Sequence, residues 1–153
     1  MGATGAMTDD YRLVLSEGRD EARYDYVRQQ LRAYNQAQSE YMRPERKAVE
    51  PLDVVLLDRA DTILGGLFAT TRWGLWLDID HLWVADALRG QGWGTRLMSE
   101  AESAAKKKGC LYARVGTHGF QAKGFYEKCG YRVIGELVDW PPGHTAYMLR
   151  KDL

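Results

Sequence analysis

The chain has 153 residues, 45% hydrophobic and 27% charged, with 21 basic and 21 acidic side chains. That length and balance suit one globular domain around one core and exclude a chain too polar to fold. A net charge of zero supplies no field to hold a polyanion, so neither nucleic acid nor a membrane surface is expected as a partner.

Residues 1–7 are small and featureless and read as a leader or disordered segment, with Met7 as the natural start and residues 8–153 as a single domain. Residues 11–15 alternate enough to predict a short first strand. Over residues 20–39, Tyr24, Val27, Leu31 and Tyr34 recur at helical spacing and predict an amphipathic helix that ends before Pro44. Residues 39–51 are charged and irregular and read as a loop. Residues 54–57 and 63–71, separated by Asp58-Arg59-Ala60-Asp61, predict two antiparallel strands joined by a polar turn.

A strand follows over residues 76–84, a helix over 95–108, and a buried strand over 111–115. The basic run Lys106-Lys107-Lys108 fits a helix end, where cations complement the exposed carbonyls. Residues 121–129 form a short helix stopped by Gly130, and residues 131–137 and 145–149 are the last strands. Between these strands, Pro141-Pro142-Gly143 rules out regular structure. The pattern predicts an α/β (α+β) fold, a mixed sheet of six to seven strands with helices on both faces. Cys110 and Cys129 have neither metal-ligand nor disulfide-framework spacing, so two structural thiols and no metal are expected. No apolar run is long enough to cross a bilayer and no charged-then-apolar leader appears, which sets a cytoplasmic expectation.

The richest segment is residues 82–95, where a strand ends and Gly90, Gly92 and Gly94 alternate with other residues before a helix. Glycines let the backbone adopt positive φ and approach a ligand closely. Free N–H groups at the helix start, with the positive dipole end, make an anion site suited to a pyrophosphate. Arg89 adds direct charge. A glycine turn without a ligand stays open as the alternative. A Walker loop does not fit because no Lys-Ser/Thr pair follows, and the glycine spacing is not that of a Rossmann turn.

Arg89-Gly90-Gln91-Gly92-Trp93-Gly94 resembles the Gln/Arg-x-x-Gly-x-Gly/Ala pyrophosphate loop of the GNAT superfamily of N-acetyltransferases. The strand end Leu82-Trp83-Val84, the helix pairs Leu97-Met98 and Ala101-Glu102, and the run Gly124-Phe125-Tyr126-Glu127-Lys128-Cys129-Gly130-Tyr131 strengthen the likeness. It extends from about residue 54 to the C-terminus, with a weaker match over the first helix. The resemblance implies a mostly antiparallel sheet whose fourth and fifth strands splay apart around the pantetheine arm of acetyl-CoA, the co-substrate. The backbone of Leu82, Trp83 and Val84 would then pair with the pantetheine amides. Arg89, Gly90, Gln91, Gly92, Trp93, Gly94 and Thr95 would hold the pyrophosphate.

By the same resemblance Tyr126 protonates the departing thiolate, a role open to a phenol that is protonated at neutral pH; a core aromatic is the alternative. Many relatives have Asn seven residues before this tyrosine, where this chain has Gly119, so Gln121 or His118 is expected to substitute. Relatives place groups that deprotonate the amine six and four residues before the strand-end Val, which gives Asp78 and Asp80. Strict alternation puts Asp78, Asp80, Leu82 and Val84 on one sheet face and His81 on the other; solvated strand carboxylates are the alternative. His118 is a second-rank base, His144 a residue that closes over the acceptor, and Trp140 a substrate wall.

The resulting expectation is an N-acetyltransferase that moves acetyl to a primary amine of a small molecule by direct attack in a ternary complex. No cysteine sits where a covalent relay would need one. The acceptor is expected to enter from the side of the first helix and the Trp140 loop. Competing readings are a non-catalytic CoA or acyl-CoA-binding module or sensor, a protein or peptide amine acetyltransferase, and a ligand-free dimerisation domain. Homodimers are common in the resembling family and are one assembly expected here.

Overall fold

A computed structural model describes residues 11–46 and 49–153, so the leader read over residues 1–7 lies outside the described residues. The chain divides into a unit that ends at Met42 and a second unit, Arg43–Leu153. In the first, Asp20 caps helix α1 (Glu21–Gln38) by accepting the Arg23 N–H at 3.1 Å, and a 3-10 turn, Glu40–Met42, follows. Residues 11–15 form no strand. Alternation alone does not make a strand without a ladder of hydrogen bonds.

The second unit is built on β1 (Val49–Leu57), β2 (Ile63–Arg72), β3 (Trp76–Val84), β4 (Tyr112–His118), β5 (Arg132–Val138) and β6 (Thr145–Asp152). Helix α2 (Trp93–Lys107) joins β3 to β4, and α3 (Lys123–Lys128) joins β4 to β5. The sheet order is β1-β2-β3-β4-β6-β5, with every pairing antiparallel except β3 with β4. Among the described residues the mixed, mostly antiparallel sheet therefore has six strands. β1 starts at Val49 and contains Pro51, inside the stretch read as a loop. It is an edge strand, where a residue without an N–H is tolerated. The Asp58 carboxylate accepts the N–H groups of Ala60 and Thr62 at 2.8 and 2.9 Å and closes the β1–β2 turn. These bonds hold its carboxyl below the usual value.

One core forms on one face of the sheet. Leu97, Met98, Ala101 and Ala105 of α2 and Tyr126 of α3 pack with Leu52, Leu67, Leu77, Ile79, Val115 and Leu149. The α2 residues recur at three- and four-residue spacing, which keeps one helix stripe on the sheet. Cys110 is buried and Cys129 half-buried, both free thiols. No helix among the described residues is long and apolar enough to cross a membrane.

The feature that shapes the site is the short parallel ladder of β3 and β4. It runs from Trp76↔Tyr112 to Ile79↔Val115 and then stops. Beyond it Asp80 to Val84 and Gly116 to His118 part, so the splay lies between the third and fourth observed strands. The shift in count follows from the absent first strand. At the same level the β2–β3 register slips: Phe68 faces His81 and Ala69 faces Ile79, leaving Asp80 as the extra residue of a bulge. A bulge bends its strand and sharpens the local twist, which turns the end of β3 away from β4.

Candidate functional site

Two features meet at the splay. The first is the turn between β3 and α2. The Ala85 N–H donates to the Leu64 carbonyl at 2.8 Å, and a 3-10 turn, Asp86–Leu88, leads to Arg89. Gly90 and Gly92 have φ of 74° and 83°, the left-handed region in which a side chain is strained. Gly92 is the N-cap of α2, which begins two residues before its expected start. The first N–H to return to a carbonyl is that of Arg96, on Gly92 at 3.0 Å. The N–H groups of Trp93, Gly94 and Thr95 therefore find no carbonyl among the described residues, and they point out of the positive end of the helix.

Space is kept open around these donors. A side chain at Gly90 or Gly92 would meet nothing within 4 Å, whereas one at Gly94 would reach the Phe125 ring at 3.2 Å. The hollow here has a volume of about 400 Å³ and is lined by Leu82, Val84, Arg89, Gly92, Trp93, Gly94, Thr95 and Phe125 among others. Arg89 donates from Nε to the Val84 carbonyl at 3.2 Å and pairs with Asp86 at 2.8 Å, so its guanidinium lies at the strand end. Gln91 donates its side-chain amide to the Ala87 carbonyl at 2.9 Å, which leaves its main chain as the part facing the turn.

The second feature is a cleft of about 640 Å³ between the parted strands. Asp80, His81, Leu82, Trp83 and Val84 line one side, and Val115, Gly116, Thr117, Phe120, Gln121 and Tyr126 the other. Arg89 lines both spaces, so they adjoin. Tyr126 is buried, its ring edge-on to Phe125 at 5.2 Å and Tyr131 at 6.0 Å. Burial pushes its phenol above the ordinary value, and the Cys129 sulfur adds to the shift. Behind it the Tyr131 hydroxyl donates to Glu102 at 3.0 Å, and Lys151 donates to the other Glu102 oxygen at 2.6 Å. These bonds tie the backing of the Tyr126 ring to α2 and β6.

The two expected base carboxylates are not equivalent. Because Asp80 sits in the bulge, alternation breaks there, and Asp78 does not share a face with Leu82 and Val84. Asp78 opposes Thr70 and Arg114, away from the core, and is buried. It accepts from Arg72 Nε at 2.9 Å and from Arg114 Nε and Nη2, both at 2.8 Å. Both of its oxygens are occupied, and it does not line the cleft. Its hydrogen bond raises the Arg114 guanidinium above the usual value, and the charge of Asp80 adds a smaller push. Asp80 is exposed and lines the cleft together with Tyr126.

The Gln121 side chain is committed to the end of β4. Its Oε1 accepts the His118 N–H at 3.0 Å and the Thr117 hydroxyl at 3.3 Å. His118 and His144 are linked through Phe120: His118 stacks on that ring at 5.2 Å and His144 meets it edge-on at 4.7 Å. His118, Trp140, Gly116 and Thr117 also border a further hollow of about 450 Å³. Trp140 is exposed, in a loop closed by its N–H on the His144 carbonyl at 2.9 Å. Sequence reasoning missed Gly116, Thr117, Phe120 and Phe125 as lining residues. Phe125 had a signal, because it adjoins Tyr126 in the quoted motif; the others depend on where β4 parts from β3.

The unpaired donors of α2, the open turn above Gly90 and Gly92, and a strand end released from its neighbour fit the pyrophosphate and amide groups of a CoA ester. Among the described residues no group of three or more His, Cys, Asp or Glu is placed to hold a metal. A family model described as "Acetyltransferase (GNAT) family" matches residues 16–131. The chain is 44% identical over 92 residues to blasticidin-S acetyltransferase of Streptomyces morookaense, covering 60% of this chain and 67% of that one. It is 33% identical over 138 residues to an acetyltransferase of Agrobacterium fabrum, covering 90% and 96%. Among solved structures, an acetyltransferase from Bacillus cereus superposes with a TM-score of 0.77 at 32% identity, over 92% of this chain and 98% of that one. With that match over most of its length and a released strand beside an uncapped helix start, the chain belongs to the GNAT acetyltransferase family and is an acyltransferase.

Proposed function

We propose that this protein moves the acetyl group of acetyl-CoA onto a primary amine of a small molecule, by direct attack within a ternary complex. The observation that carries the reading is the adjacency of the α2 donors at Trp93, Gly94 and Thr95 to a cleft that Asp80 and Tyr126 both line. The α2 start and Arg89 would bind the pyrophosphate, and the freed edge of β3 from Leu82 to Val84 would pair with the pantetheine arm. Acetyl-CoA supplies an activated acyl thioester. Asp80 takes the proton that the amine nitrogen loses as its bond to the acetyl carbon forms. The Tyr126 hydroxyl gives its proton to the sulfur as the carbon–sulfur bond breaks, and the phenol is reprotonated from solvent. Burial favours the protonated phenol that this role requires.

Support for a small acceptor comes from the compact Trp140 loop and from a relative whose name specifies blasticidin-S. A cytoplasmic location and a homodimer belong to the same reading, and sedimentation tests the second. The direct experiment follows free thiol release from acetyl-CoA across a panel of small amines and lysine peptides, with CoA binding measured by calorimetry. Release with small amines is expected. CoA binding without release from any amine would make the protein a binding module, and release with peptides alone would move the acceptor class.

A further inference from the structure

Three residues lie side by side across β4, β6 and β5: Gly116 faces Met148, and Met148 faces Gly135. Opposed residues of neighbouring strands project from the same face of a sheet. That face is opposite the core, because Val115 and Leu149, the next residues along, are buried. Neither glycine has positive φ, so backbone geometry does not demand glycine at either place. A side chain at either position would meet nothing within 4 Å. Glycine inside a strand weakens it and commonly marks a place where a ligand approaches the backbone closely.

The two glycines leave a floor of bare backbone on either side of the Met148 side chain, with Trp140 and Leu137 at its border. Gly116 and Thr117 line both this hollow and the cleft that holds Asp80 and Tyr126, so the floor runs into the reaction centre. Bare peptide planes, a thioether and an indole offer stacking contacts, and Thr117, His118, Glu136 and Tyr147 bring polar groups to the border. Thioethers and aromatic rings attract one another.

We infer that this floor receives the acceptor, and that the acceptor carries a flat aromatic or heteroaromatic ring next to the carbon that bears its amine. The inference rests on the transferase reading above and narrows its substrate class. Benzylamine and cyclohexylmethylamine, alike in size and differing in flatness, are the probes, with glucosamine as a polar comparison. Thiol release and calorimetric binding of each amine to the CoA-loaded protein are measured in the wild type and in Gly135→Leu, whose side chain would fill the floor. CoA binding to the variant reports that it is folded.

Benzylamine is expected to bind and react better than cyclohexylmethylamine, and Gly135→Leu to weaken benzylamine by about tenfold or more. If Gly135→Leu does not fold, the wild-type preference for the flat ring decides. Equal use of the two amines, preference for glucosamine, or an unaffected Gly135→Leu overturns the inference and leaves the transferase reading standing. CoA binding with no thiol release from any amine overturns that reading, and the substrate class with it.

Discussion

Asp78 and Asp80 lie two residues apart in different surroundings, and under the proposed mechanism only Asp80 takes part in the chemistry, which paired substitutions can separate. In Asp78→Asn an amide replaces a carboxylate that accepts three guanidinium hydrogen bonds at 2.8–2.9 Å. The Asp78 side chain is 8% exposed, whereas Arg72 and Arg114 are 35% and 46% exposed and can turn partly to water. Breaking a fully buried pair costs about 3–5 kcal/mol. Solvent screening of the arginines lowers the expected loss to roughly 2 kcal/mol. For a chain of this size that lowers Tm by about 4–8 °C. Asp78→Asn should therefore melt early by circular dichroism, while thiol release per folded molecule below its transition stays near wild type. Asp80→Asn should keep the wild-type Tm, since Asp80 is exposed, and lose turnover by roughly 100-fold or more. An Asp78→Asn protein with normal melting and abolished turnover, beside an active Asp80→Asn, would refute the argument from the bulge.

Tyr126→Phe keeps the ring and removes the proton, so turnover should fall roughly 100-fold or more, with acetyl-CoA affinity nearly unchanged; an unaltered rate in a thiol-release assay removes Tyr126 from the chemistry. Gly92→Ala places a Cβ at φ 83°. The free variant turn can relax from this conformation and must return to it to present its N–H groups, so the strain of about 1 kcal/mol should weaken CoA binding roughly fivefold by calorimetry. Burial raises both Tyr126 and Tyr131, Tyr131 further through Glu102. Their contribution to stability is then complete below the unfolded phenol value of about 10 and is lost as pH climbs from there through the higher folded values. Urea midpoints should hold up to about pH 10 and drop beyond it, less steeply in Tyr131→Phe; a midpoint indifferent to alkali would contradict the burial argument.

Much of this protein was legible in its residues because the signals are local. The helical spacing of Leu97, Met98, Ala101 and Ala105, the glycines before them, and the Phe125-Tyr126 run each follow from neighbours in the chain. Backbone N–H groups at a helix start are unpaired by geometry, so Gly90, Gly92 and Gly94 point to an anion site, which the glycines alone leave open against a ligand-free turn and the surrounding motif favours. What alternation could not show is the bulge at Asp80, because an inserted residue leaves the hydrophobic pattern of β3 nearly intact while reversing which face each later side chain occupies. That reversal separates Asp80, in the cleft, from Asp78, in its arginine pair. The guanidinium of Arg114 and the bare floor of Gly116 and Gly135 come from strands distant in sequence. Only the pairing of β4 with β3 and β6, and of β5 with β6, brings them to Asp78 and Met148, and no spacing along the chain encodes that register.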